Sequence, residues 1–183
     1  MQCTVNLLTV EGASYDSEAG QDIPQCQPGT RIGILSQIAA WAKDVEREEI
    51  IFWLHGPAGT GKSTIARSLA HSLADSGQLG ASYFFKRGEE GRNSTSLFFP
   101  TIASQLINTI PTFGTYLEKS LGKVANAKVE RKALDEQFKT LIQDPLSKLF
   151  PNKSDILTKI IVIDALDECE QYKRVPEILR LFL

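Results

Sequence analysis

The chain is poor in the residues that build cross-linked or metal-rich folds: three cysteines and two histidines in 183 residues. Cys3, Cys26 and Cys169 are an odd number at wide spacing, which excludes a disulfide framework and a cysteine-built metal site and reads as reduced thiols in an intracellular, cytoplasmic protein. No run approaches the roughly 18 consecutive apolar residues a spanning helix requires. The N-terminus, MQCTVNLLTVEG, lacks the basic region and apolar stretch of a secretory signal or transit peptide. Charge of one sign is also missing. A net charge of -2, with no extended Lys/Arg block, leaves no electrostatic footprint for nucleic acid or anionic membranes. Internal repeats and low-complexity tracts are absent too, so the reading is one soluble domain of ordinary composition, 42% hydrophobic.

What is present has a clear order. Residues 1–29 read as an N-terminal arm or linker, because Gly12 to Gly29 is rich in Gly, Ser, Asp, Gln and Pro and lacks periodicity; residues 30–183 form the domain. Ile34, Leu35, Ile38, Ala39, Trp41 and Ala42 predict an amphipathic helix within 32–45. Ile50 to Leu54 (IIFWL) predicts a strand buried on both faces, and Ile65, Leu69 and Leu73 draw the apolar face of a following helix. Further strands are expected at 81–86 and 160–163, with helices at 98–110, 112–121, 130–150 (broken near Pro145) and from Pro176 onward. Strands alternating with helices predict an α/β fold, a three-layer sandwich with a mainly parallel sheet flanked by helices.

Between the first strand and its helix lies Gly56-Pro57-Ala58-Gly59-Thr60-Gly61-Lys62-Ser63-Thr64, which fits G-x-x-x-x-G-K-[ST] at every fixed position. Glycines let successive N–H groups converge on phosphate oxygens, and the helix N-terminus adds its positive end. Lys62 is expected to reach the β- and γ-phosphates, the Ser63 hydroxyl to ligate Mg²⁺, and Thr64 to support the phosphate side. The bland alternative is a chance glycine turn.

The second motif is Ile160-Ile-Val-Ile-Asp164-Ala-Leu-Asp167-Glu168-Cys169, an apolar strand ending in a carboxylate. Asp164 is expected to hold Mg²⁺ through water. Glu168 is the candidate to polarise an attacking water, with Asp167 supporting the metal shell; their roles are interchangeable at this point, and both acids could instead simply open a helix. Together the motifs point to binding of a nucleoside triphosphate with Mg²⁺, and to a hydrolysing enzyme. No N/TKxD-type guanine-reading motif is present, so ATP/ADP is favoured and GTP left open.

With both motifs in view, the chain resembles a NACHT-type P-loop domain of the STAND class, of the sort found in fungal NLR-like proteins and the nephrocystin-like N-terminal NTPase domain. The resemblance runs through CQPGTR, HGPAGTGKSTIAR, ASYFFKRG, TIASQL, EQFKTLIQDPL and IVIDALDEC. It implies a signalling switch that is closed with diphosphate, opens and self-associates as a homo-oligomer with triphosphate, and is reset by slow hydrolysis. It also implies that Thr30 and Arg31 lie near the adenine or ribose and that Arg87 approaches the γ-phosphate; a surface charge at a helix entry and a solvated loop residue are the alternatives for the two arginines. Ala165 stands where many animal members have Gly. The family continues beyond its acidic motif, so a domain incomplete at the C-terminus is expected. Binding without turnover, as an interaction module, is the competing function; a phosphoryl-transfer kinase lacks its arginine-bearing lid.

His55 and His71 read as structural, and Tyr83, Phe84, Phe85, Phe98 and Phe99 as core rather than as a base-stacking platform. Lys123, Lys128, Arg131 and Lys132, interleaved with Glu130, read as a solvated helix face.

Overall fold

The computed structural model describes residues 5–18, 24–122, 129–152 and 158–183. Cys3, Lys123 and Lys128 lie outside them. The chain is mixed α/β, in the order α1 (Ile32–Lys43), α2 (Lys62–Asp75), β1 (Leu79–Phe84), α3 (Phe98–Thr109), α4 (Phe113–Leu121), α5 (Leu134–Phe138), α6 (Asp144–Leu149), β2 (Ile160–Asp164) and α7 (Val175–Phe182). Lys139–Gln143 joins α5 to α6 as a π-helical turn, directly ahead of Pro145, whose missing N–H a shift in the hydrogen-bond ladder accommodates. The helix expected over 130–150 with a break near Pro145 thus runs on as helical backbone from 134 to 149, its irregularity a π-helical turn just before the proline rather than a break at it.

β1 and β2 pair in parallel from Leu79↔Ile160 to Phe84↔Asp164, so both strands deliver their C-terminal residues to one end of the sheet. Strand periodicity divides the core. Ile160 and Val162 face α2 and α1, meeting Ala70, Leu73 and Ala42; Ile161 and Ile163 face the larger core of Tyr83, Phe98, Phe99, Ile102, Leu117 and Leu141. The aromatic group Tyr83, Phe84, Phe85, Phe98 and Phe99 is buried, as a packing role requires.

The outer edge of β1 is closed by side chains of α3 and by the backbone at Ala13. Gln105 of α3 spans Ser82 as a neighbouring strand would, accepting from its N–H at 2.9 Å and donating to its carbonyl at 2.8 Å; the Thr109 hydroxyl donates to Gly80 O at 2.7 Å, and Phe84 N–H donates to Ala13 O at 2.8 Å. Satisfying these groups in place of a strand keeps the edge from templating another chain. The segment read as an exposed arm thus packs in part: Val10 and Ala13 are buried in the larger core, and Tyr15 sets its ring edge-on to His71 at 4.8 Å.

Ile50 to Leu54 departs from expectation. Among the described residues the sheet has two strands, and this segment forms no ladder. It lies against α1 through side chains, with the Phe52 ring 5.7 Å from that of Trp41, while Ile50 and Trp53 stay more than half exposed. An apolar run specifies burial, but a strand also needs a partner backbone, which the run alone does not supply.

Candidate functional site

The glycine-rich loop carries Gly59 and Gly61 at φ of 79° and 84°, left-handed conformations that a side chain resists. Gly61 turns the chain into α2, whose first residues are Lys62, Ser63 and Thr64. Residues 56–60 are all exposed, which leaves the loop backbone open to solvent. Lys62 Nζ lies across the loop, donating to the Gly56 and Pro57 carbonyls at 2.9 and 3.0 Å, and the Thr60 hydroxyl donates to Pro57 O at 2.9 Å. The ammonium is thereby stationed above the turn that precedes the helix N-terminus.

Arg31 meets this loop from α1. Its guanidinium lies against Gly61 so closely that a Cβ there would stand 3.1 Å from Nη2. Arg31 itself is left-handed, at φ 57°, as it turns the chain into α1. Thr30 is exposed and folds onto its own turn, its hydroxyl donating to Gln27 O at 2.7 Å. Of the two candidates from that segment, Arg31 touches the loop.

The acidic motif arrives from the sheet. β2 places Asp164 at the strand end, half-buried beside the first turn of α2, within the influence of the Ser63 hydroxyl. Burial pushes the Asp164 carboxyl above the ordinary carboxylate value; the Ser63 hydroxyl and the Ala165 amide oppose that rise, and the charges of Glu168 and Asp167 add to it. A hydroxyl and a carboxylate from two elements, brought together at a helix N-terminus, are the oxygen donors that Mg²⁺ takes, since it binds through one or two protein groups and completes its shell with phosphate and water. Among the described residues no group of three or more His, Cys, Asp or Glu is gathered into a fuller cation cage.

Beyond Asp164 the chain turns at Ala165, left-handed at φ 57°, into a short helical turn at Leu166–Glu168. Asp167 is exposed; the Glu168 carboxylate accepts from the Arg87 backbone N–H at 3.1 Å, while Arg87 Nη2 donates to the Asp167 carbonyl at 3.0 Å. Arg87 therefore engages the acid loop, its N–H at the Glu168 carboxylate and its guanidinium at the Asp167 main-chain carbonyl. The structure brings Ser63, Asp164, Asp167, Glu168 and Arg87 to the C-terminal end of the sheet, and Arg31 to the loop.

Arg67 carries no signal in the sequence beyond helical spacing. One turn after Ser63, it is buried with its guanidinium 5.4 Å from the centre of the Phe84 ring, and Nε and Nη2 have no hydrogen-bond partner. Burial lowers its pKa, Arg92 lowers it further, and Asp16 and Asp164 pull the other way, so Arg67 stands within the electrostatic field of the Asp164 carboxylate. Arg92 is likewise buried, its Nε donating to Phe84 O at 3.1 Å and its Nη1 to Glu89 at 2.7 Å.

Residues 30–183 match the family described as Nephrocystin 3, N-terminal, and the chain belongs to that family. No curated protein and no solved structure matches it.

Proposed function

We propose that this nephrocystin 3 N-terminal domain binds ATP with Mg²⁺ and hydrolyses it slowly, as the nucleotide switch of a NACHT-like signalling protein built on a P-loop three-layer sandwich. The observation that carries this reading is the meeting of Ser63 and Asp164. They lie 101 positions apart in sequence and come from two independent motifs, yet the Ser63 hydroxyl stands close enough to the Asp164 carboxyl to hold its pKa down, beside the helix N-terminus. A chance glycine turn has no reason to end beside a strand-terminal carboxylate.

In this reading the backbone of Gly56 to Gly61 cradles the phosphates and Lys62 leaves its carbonyl partners for the β- and γ-oxygens. Ser63 and Asp164 hold Mg²⁺, which neutralises phosphate charge when bound. Glu168 takes a proton from water as the water oxygen bonds to the γ-phosphorus; the bond from that phosphorus to the bridging oxygen breaks, and the diphosphate leaves with the electron pair. Arg31, whose guanidinium lies against Gly61, is within this reading the residue that meets the nucleoside. Self-association in the triphosphate state and a cytoplasmic location belong to the same reading. The free thiols of Cys26 and Cys169 support the location, and among the described residues no helix is long and apolar enough to cross a membrane.

A second reading, binding without turnover, is favoured by one contact. The Glu168 carboxylate is already held by Arg87 N–H, so it needs to keep or regain access to water. Glu168→Gln separates the two. Single-turnover hydrolysis of ATP should fall at least about a hundredfold in the variant, the scale of lost general-base catalysis, with binding retained. Equal rates in variant and parent would remove Glu168 from the chemistry.

A further inference from the structure

The acids at the end of β2 are gripped by a segment far away in sequence. The loop after β1, residues 86–95, and the acid loop, residues 165–171, are joined by five hydrogen bonds at the C-terminal end of the sheet. Arg87 N–H donates to Glu168 Oε2, and Arg87 Nη2 to Asp167 O. Glu170 N–H donates to Asn93 O at 2.8 Å. Thr95 gives both its N–H, at 3.2 Å, and its hydroxyl, at 2.6 Å, to Gln171 Oε1. The grip therefore runs along the whole acid loop.

The loop that grips is itself braced. Lys86 and Glu89 form an ion pair, Glu89 also holds buried Arg92, and Arg92 returns its carbonyl to Lys86 N–H at 3.1 Å and its Nε to the last residue of β1. Thr95 is fully buried, so its hydroxyl depends on Gln171 for a partner. Within the acid loop the polar bonds are short-range and of backbone alone, Glu168 N–H to Ala165 O and Cys169 N–H to Leu166 O; Ala165, Leu166 and Cys169 pack on the core, while the carboxylate-bearing part is held by loop 86–95. A non-glycine residue persists in a left-handed conformation where its surroundings over-determine it: Ala165 packs on the larger core, and the residues after it are held by loop 86–95.

We infer that loop 86–95 is the positioning element of the acid loop, and that Thr95 and Gln171, which touch no nucleotide, set where Glu168 is held and so govern turnover rather than nucleotide affinity. This rests on the hydrolytic reading of Glu168 for its kinetic consequence. Glu168 must stand within hydrogen-bond reach of a water to take its proton, and a displacement on the order of 1 Å costs about a hundredfold in such a step. The phosphate loop makes none of these five bonds, so its grip on the nucleotide is independent of them.

Gln171 is exposed, so Gln171→Ala removes the acceptor without opening the core, leaving the buried Thr95 hydroxyl unpaired. The test compares the full chain with Gln171→Ala, with Gln171→Glu, which keeps an acceptor oxygen, and with Thr95→Val, which deletes one of the two bonds. Amide hydrogen exchange over 165–171 should quicken about tenfold in Gln171→Ala, and kcat for ATP should fall about tenfold with Kd within about twofold, the loss expected from one or two hydrogen bonds. Gln171→Glu should stay near the parent, and Thr95→Val between the two. Unchanged exchange in Gln171→Ala, or affinity lost in step with turnover, overturns the inference. A parent chain that binds ATP and hydrolyses none contradicts the hydrolytic reading instead, and the exchange comparison then decides the grip by itself.

Discussion

The two halves of the site are built in opposite ways. The phosphate loop is a local object: Gly59, Gly61, Lys62 and Ser63 are neighbours in sequence, the loop is exposed, and its side-chain bonds run from Lys62 and Thr60 to carbonyls within six residues. The acid loop is a long-range object. Asp164 is positioned by parallel pairing with β1, and Glu168 by Arg87, 81 residues away. A local element forms wherever its few residues agree, whereas the second depends on the sheet and on a distant loop. Binding and turnover should therefore separate under mutation.

The largest separation is expected at Lys62. Lys62→Ala removes the ammonium stationed above the loop and should weaken ATP binding by about a hundredfold, the scale of a charge-assisted contact, with no change in exchange over 165–171. A variant that binds ATP as tightly as the parent would show that the glycine loop is not the phosphate site. Filter binding across an ATP series measures it directly.

Asp164→Asn sharpens the contrast from the other side. Burial raises the Asp164 pKa above its ordinary 3.8, so the folded state holds the proton more tightly than the unfolded one. The stability this contributes is fully present below the unfolded value and is lost as pH rises through the folded one, leaving the charged form costly at neutral pH. An uncharged Asn should therefore raise Tm at pH 7 and bring no gain at pH 3, while abolishing the Mg²⁺ dependence of ATP binding. A lower Tm at pH 7, measured by differential scanning calorimetry, would mean the carboxylate is held for stability.

The smallest effect is expected at Ala165. Glycine takes φ 57° without strain, so Ala165→Gly should stabilise the folded chain by about 0.5–1 kcal/mol and raise Tm by a few degrees. A loss of stability would show that entropy in the unfolded chain outweighs strain at the acid-loop turn.

The same contrast explains what was legible in the sequence. The glycine turn, α2 and β2 were readable because each is specified by residues close together: glycines at fixed offsets, an apolar face at helical spacing, an apolar run closed by Asp164. The meeting of Ser63 with Asp164 was expected from the pair of motifs. Ile50 to Leu54 was misread as a paired strand, because an apolar run carries no information about which backbone lies beside it. Gln105 closing the edge of β1, Val10 and Ala13 entering the core, and Thr95 gripping Gln171 were not legible at all. Each depends on a partner tens of residues away, chosen by topology, and on residue types that are unremarked wherever they occur.

The most direct test of the central claim is calorimetric titration of ATP onto the folded chain with and without Mg²⁺. The account predicts saturable, one-to-one binding that tightens in Mg²⁺, because Ser63 and Asp164 join the phosphates through the cation. A folded chain that gives no binding heat in either condition, across the temperatures needed to exclude a vanishing enthalpy, would contradict it.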